Sequence, residues 1–363
     1  MPRFDPLRCA FLTIITLFLA NAATAQQTIS IPNWTGSFNF NGQNFTFTMI
    51  GTNPFDPTQG PKTKVPVVII PLKFKLLQCD PTQPNCSGAT TTYNANGFTC
   101  TNTQSALTLT LNSPLFQDTF AFNSPNNTYT GAGQYTDAFQ RANFLNGQNF
   151  IPTYHVLLRP VTTGNVVTVT PLWSQGMGAL TACSHGNVDQ AYFDSLVPGI
   201  LSGQAIPPTT LAVFLSYNVT FDGGGYHGIV PVNGVNQTYV VASFNDDPQL
   251  SFQPDVDPLS HELAEWMDNP LHGRDIVNFP GNQVPGWVPP GTQGCRHDLE
   301  VGDAVIGTGM GGATPMMMVP LNGFNYHVQD EAFLYWFTQQ PSSAIDGLYS
   351  FLGTFMTPAQ NCP

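Results

Sequence analysis

The stretch Asp257-Pro258-Leu259-Ser260-His261-Glu262-Leu263-Ala264-Glu265-Trp266-Met267-Asp268-Asn269-Pro270 gathers side chains that can do chemistry together. Pro258 suits a first helical turn, Leu259, Leu263 and Trp266 form an apolar stripe, and Asn269-Pro270 closes the segment, so the pattern predicts a helix from about Pro258 to Met267. On that helix His261 and Glu265 stand at i and i+4, one turn apart on one face. There an imidazole and a carboxylate can converge on one metal ion. Glu262 lies about 100° round the helix, where a carboxylate suits a general base for a water molecule at the metal. The arrangement is His-Glu-x-x-His with the second histidine replaced by glutamate.

Scarcity sharpens the signal. Glutamate occurs only at Glu262, Glu265, Glu300 and Glu331, and Glu300 sits in Asp298-Leu299-Glu300-Val301-Gly302-Asp303. On a short helix or turn Glu300 and Asp303 share a face at i and i+3, so that one can bind the ion and the other brace a ligand. A His/Glu/Glu set carries two negative charges and fully neutralises a divalent cation. Its water is then less acidic than at an ordinary zinc site, and a harder ion such as Mn²⁺ or Ca²⁺ competes with Zn²⁺. His227 or His297 as a further ligand would restore an ordinary zinc site. His227, after the glycine run Gly223-Gly224-Gly225, is a candidate transition-state donor together with Tyr226. Asp246, Asp247, Asp255 and Asp257 are candidate oxygen ligands for Ca²⁺. The bland alternatives are a histidine and glutamates that only cap and solvate a helix start, and an acidic solvated loop.

The rest of the chain sets the context. Its 363 residues are 42% hydrophobic and 9% charged, with a net charge of −12. That balance gives no electrostatic footprint for nucleic acid, and anionic membranes would repel it. Arg3 and Arg8, the apolar run Cys9–Ala20 and Ala23-Thr24-Ala25 read as a secretory signal peptide over residues 1–25. Its removal leaves eight basic and twenty-one acidic residues, and the expected location is extracellular or periplasmic, with no membrane segment thereafter. Cys79, Cys86, Cys100, Cys183, Cys295 and Cys362 then suggest up to three disulfides, with Cys79–Cys86 the first local pair.

The elements that must position the site read as α+β. Alternation marks short strands between Gln26 and Gly60, a stronger strand at Val65–Leu77 and another around Leu107–Leu111. Helical spacing marks residues 134–146 and 188–201, the metal helix, and a last helix near 330–337. Strands are expected at 153–160, 165–172, 211–219 and 237–244. Intermixed strands and helices joined by antiparallel connections indicate α+β in place of a regular βαβ array. A soft boundary near residue 130 would separate a β-rich region (26–130) from an α+β metal-site region (131–363), though the two may form one domain.

Ser-His-Glu-Leu-Ala-Glu followed by Asn-Pro, with Glu-Val-Gly-Asp some thirty residues on and Gly225-Tyr226-His227-Gly228 before it, resembles secreted proteins with an SHELAE-type helix. These include the plant Exordium or phosphate-induced family and bacterial relatives. The layout is also similar to zincin metallopeptidases of the gluzincin type, with Glu265 where those have a second histidine. The resemblance covers mainly residues 225–305. It implies a zincin-like core, a mixed twisted sheet with an active-site helix. His261 and Glu265 would be zinc ligands, Glu262 the base, and Glu300 or Asp303 the third ligand. The expected function is a secreted metallopeptidase acting on an extracellular peptide or protein. The rivals are a non-catalytic extracellular or cell-wall interaction protein with a structural metal, and a metal hydrolase acting on glycan or ester.

Overall fold

A computed structural model of the chain describes residues 28–123, 129–274, 278–292 and 294–362. The expected signal peptide lies outside them. The chain opens with the hairpin β1 (Asn33–Phe40) and β2 (Gln43–Ile50), turned by Asn41-Gly42 with φ of 50° and 85°. Two positive φ angles make the turn whose twist matches its strands, and Asn-Gly adopts it at least cost. Next come the long strand β3 (Lys62–Leu77) and β4 (Thr90–Asn94). The Leu-Thr alternation at 107–111, expected as a strand, folds instead as the short helix α1 (Ala106–Leu111). Ser105 accounts for the difference: its side chain accepts a hydrogen bond from the Thr108 amide and caps the helix.

The short strands β5 (Phe120–Asn123) and β6 (Tyr129–Gly133) precede α2 (Tyr135–Phe144), β7 (His155–Thr163) and β8 (Val167–Val169). Then follow β9 (Gly176–Met177), β10 (Gly186–Val188), α3 (Gln190–Gly203), β11 (Leu211–Tyr217) and β12 (Val219–Thr220). The hairpin β13 (Gly225–Val232) and β14 (Val235–Phe244) leads to the metal helix α4 (Asp257–Asp268). Two further hairpins, β15 (Gln283–Trp287) with β16 (Arg296–Asp298) and β17 (Met316–Leu321) with β18 (Phe324–Gln329), precede the short helix α5 (Leu334–Thr338).

One mixed sheet in the order β13-β14-β11-β3-β4 organises the molecule, with β7 and β8 also pairing with β3. Its middle is parallel, contrary to the antiparallel connections expected: β11 runs parallel to both β14 and β3, and β7 parallel to β3. Antiparallel pairing is left to β13 and β4. All seven residues of β11 are buried, as befits a parallel strand covered on both faces. Alternate residues feed two cores. Val67, Ile69, Val213 and Leu215 pack with Leu259, Leu263 and Trp266 of α4. Val68, Ile70, Ala212 and Phe214 pack with Phe193, Val197 and Leu201 of α3. The strand β3, from the front region, thus lies in the same sheet as the strands that carry the site.

Three disulfides, Cys79–Cys86, Cys100–Cys183 and Cys295–Cys362, tie loops to this frame, and the first is the expected local pair. The four aspartates expected for Ca²⁺ do not converge. Asp246 accepts from the Cys100 and Thr101 amides and from Tyr217 and Asn218. Asp247 holds His185, Asp255 holds His327, and Asp257 is buried in the first turn of α4. The first three hold loop geometry, and among the described residues none of the four belongs to a converging group of ligand atoms.

Every residue of α4 is buried. The helix packs on β14 and β13, on β18, on β2 and on α2. Asn282 fixes its far end to the first hairpin, accepting from the Thr48 amide at 2.8 Å and donating to the Thr48 carbonyl at 2.7 Å and to the Asp268 carbonyl. Trp266 anchors the apolar side, fully buried and with no hydrogen-bond partner for its indole nitrogen. Trp266→Ala should therefore lower unfolding free energy by about 3–5 kcal/mol, whereas Trp266→Phe, which forfeits no hydrogen bond, should cost under about 1.5 kcal/mol, both read by denaturant titration.

Candidate metal centre

All four glutamates of the chain are buried, together with six aspartates, while no lysine or arginine is buried among the described residues. Isolated carboxylates are costly to bury, so a cluster of them needs cations or protons. On α4 that need is concentrated. His261 Nε2 lies 3.2 Å from Glu265 Oε1 and 3.7 Å from Asp303 Oδ1, and the three ligand atoms form one converging group. Four ligands at zinc distances in a tetrahedron sit about 3.3 Å apart. The spacing of this group fits a divalent ion.

Neighbouring groups orient each donor. His261 Nδ1 stands 3.1 Å from Gln329 Oε1, and Gln329 Nε2 donates to the Gly302 carbonyl, which fixes the amide with its oxygen toward the ring. Nδ1 therefore carries the proton, and Nε2 turns its lone pair to the ion site. The amides of Gly302 and Asp303 both donate to Glu265 Oε1 at 3.1 Å. Asp303 gives its other oxygen to Arg296, which also grips Asp298 and stacks over Trp287. Two glycines permit the close approach. A Cβ on Gly302 would meet His261 Nδ1 at 2.5 Å, and one on Gly225 would meet Glu262 Cγ at 2.8 Å.

Without a metal the charges partition unevenly. Burial raises the carboxyls of Glu262 and Glu300 well above the usual range, and that of Asp303 less far. Burial also works against ionisation of Glu265, but His261 outweighs it and holds that carboxyl well below its ordinary value. The nearby carboxylates, Glu265 first, raise His261 against the opposing effect of burial.

Of the residues singled out in the sequence, His261, Glu265 and Asp303 converge, and Glu262 sits beside them with Oε1 3.9 Å from His261 Nε2. Glu300 stands behind Glu265: it accepts from Asn269 Nδ2 at 2.6 Å and approaches His272 to 3.5 Å. It groups with His272 and Asp298, not with His261. His227 reaches Glu262 Oε2 at 3.4 Å. His297 is exposed beside Cys295, and Tyr226 packs between Phe221 and Tyr239. Gln329, Gly302, Arg296 and His272 received no role in the sequence reading. Gln329 is 68 positions from its histidine, and nothing local marks it.

Two cavities meet at the cluster and share Gly225, His261, Glu262 and Asp303. One, of about 180 Å³, opens past Phe252 and Ile306; the other, of about 200 Å³, opens past Arg274 and Gln190. Glu262, His261 and Asp303 thus border both cavities. Replacing the amide that sets the His261 tautomer tests this construction: Gln329→Leu should weaken Zn²⁺ binding about 10- to 100-fold, read by chelator competition on folded protein. Compared with protein-family models, with curated proteins and with solved structures, the chain matches none of them.

Proposed function

We propose that the protein is a secreted metal-dependent hydrolase, a zincin-like metallopeptidase whose ion is held by His261, Glu265 and Asp303. The observation that carries this reading is the convergence of those three donors beside a fourth, uncommitted carboxylate in an open cleft. Three protein ligands with an accessible side suit a catalytic zinc, whereas a structural zinc is closed by four. A divalent ion bound there supplies Lewis-acid polarisation of a carbonyl and of the attacking water.

The chain's own residues supply the rest. Glu262 is buried at the junction of the two cavities, beside the three donors and bound to none of them, which is the place a general base for the attacking water must occupy. It takes the proton of the attacking water and hands it to the leaving amine. His227 Nδ1 lies 3.4 Å from Glu262 Oε2, and Glu262 Oε1 is left toward the ligand group. The strand β13 is the outer strand of the sheet among the described residues and begins at Gly225, on the cavity wall, where an extended peptide would lie beside it. Three disulfides, and no helix among the described residues long and apolar enough to cross a membrane, support an extracellular or periplasmic location.

Mature protein purified without chelator should contain zinc or another divalent ion and hydrolyse casein or a peptide library. Glu262→Gln should keep the metal and lose about 10²- to 10⁴-fold in kcat/KM. Unchanged hydrolysis in that variant would remove Glu262 from the mechanism. Metal content without hydrolysis of any peptide would favour a structural ion in a binding protein.

A further inference from the structure

The single-ion site leaves one imidazole over. The His227 side chain is 3% exposed, with Nδ1 3.4 Å from Glu262 Oε2 and 3.6 Å from Glu265 Oε2. Each of the two glutamates thus turns one oxygen toward each histidine. Glu265 presents Oε1 to His261 and Oε2 to His227, and Glu262 does the same at 3.9 and 3.4 Å.

These spacings repeat those of the first site. His227, Glu262 and Glu265 form a converging group of ligand atoms, as His261, Glu265 and Asp303 do, and Glu265 belongs to both. Among the described residues no such group contains both imidazoles. Each ring therefore has its own set of carboxylate oxygens, with Glu265 common to both. His227 Nε2 is buried with no hydrogen-bond partner, and Nδ1 is the ring nitrogen that faces the two carboxylates. With the ring proton on Nε2, Nδ1 has its lone pair available to a cation held between it and the two carboxylate oxygens.

Charge counting agrees. Glu262, Glu265 and Asp303 supply three carboxyl groups to the two ligand groups, a fourth, Glu300, stands behind Glu265, and Arg296 is shared between Asp298 and Asp303. One divalent ion balances two of the four carboxylates; two ions balance them all. We propose that the centre holds two divalent cations, the second bound by His227 Nδ1, Glu262 Oε2 and Glu265 Oε2, with Glu265 bridging it to the ion at His261 and Asp303. This rests on the metal reading above and deepens it. Glu262 keeps Oε1 on the His261 side, so its place beside the attacking water is unchanged.

Stoichiometry decides the matter without reference to activity. Mature protein stripped by a strong chelator and titrated with Zn²⁺ against a chromophoric competitor should bind two equivalents, and His227→Ala one, with circular dichroism confirming that the variant is folded. Wild type loaded with Mn²⁺ should give a spin-coupled electron paramagnetic resonance spectrum, a result that stands even if the variant does not fold. One equivalent and an isolated-ion spectrum in wild type would overturn the second ion and leave the first. A single equivalent in wild type that disappears altogether in both His227→Ala and His261→Ala would overturn it in favour of one shared ion. No bound metal would overturn both.

Discussion

Everything around α4 answers to the cost of burying carboxylates. A helix buried on every side carries His261, Glu262 and Glu265 into a place that water does not reach freely, with Glu300 and Asp303 beside them. Coulomb repulsion among groups a few ångströms apart rises steeply as the surrounding dielectric falls. Such a cluster holds together only with counter-charge from protons, from Arg296 or from a metal. Arg296 is committed to Asp298 and Asp303, and the imidazoles of His261 and His227 sit against the remaining oxygens at the spacing a coordinated ion requires.

The fold is built to hold that geometry. The parallel middle of the sheet is covered on one face by α3 and on the other by α4. The loop after β16 brings Gly302 and Asp303 over the helix, where their amides orient Glu265. The hairpin β17–β18 delivers Gln329 to His261, and β13 delivers His227 to the other side of Glu262. Three distant segments thus meet on one turn of α4. Deep burial of α4 also makes the positions rigid, because any shift of the helix would disturb well-packed neighbours such as Trp266.

Much of this was legible in the residues. The helix followed from Pro258 at its start and Asn269-Pro270 at its end, and His261 and Glu265 fall one turn apart on it as the spacing implied. Asp303 could not be chosen over Glu300 from sequence, because the choice depends on how the turn after Leu299 lies across α4. The Leu-Thr run at 107–111 misled because two turns of helix are too short to show a 3.6-residue period, while Ser105 carried the contrary signal. Asn233-Gly234 and Asn322-Gly323 mark hairpin turns with positive φ, as Asn41-Gly42 does, and those dipeptides were the available cue to β13, β17 and β18. Gln329 was silent, since an amide gains its meaning only from the ring it faces.

The central claim is that a cation, and not protons alone, neutralises the α4 cluster. Anomalous diffraction from crystals of the mature protein, grown without chelator and measured on both sides of the zinc absorption edge, tests it most directly. The account predicts an anomalous peak among His261 Nε2, Glu265 and Asp303. A difference map with no peak there, in crystals supplied with Zn²⁺ at neutral pH, would contradict it.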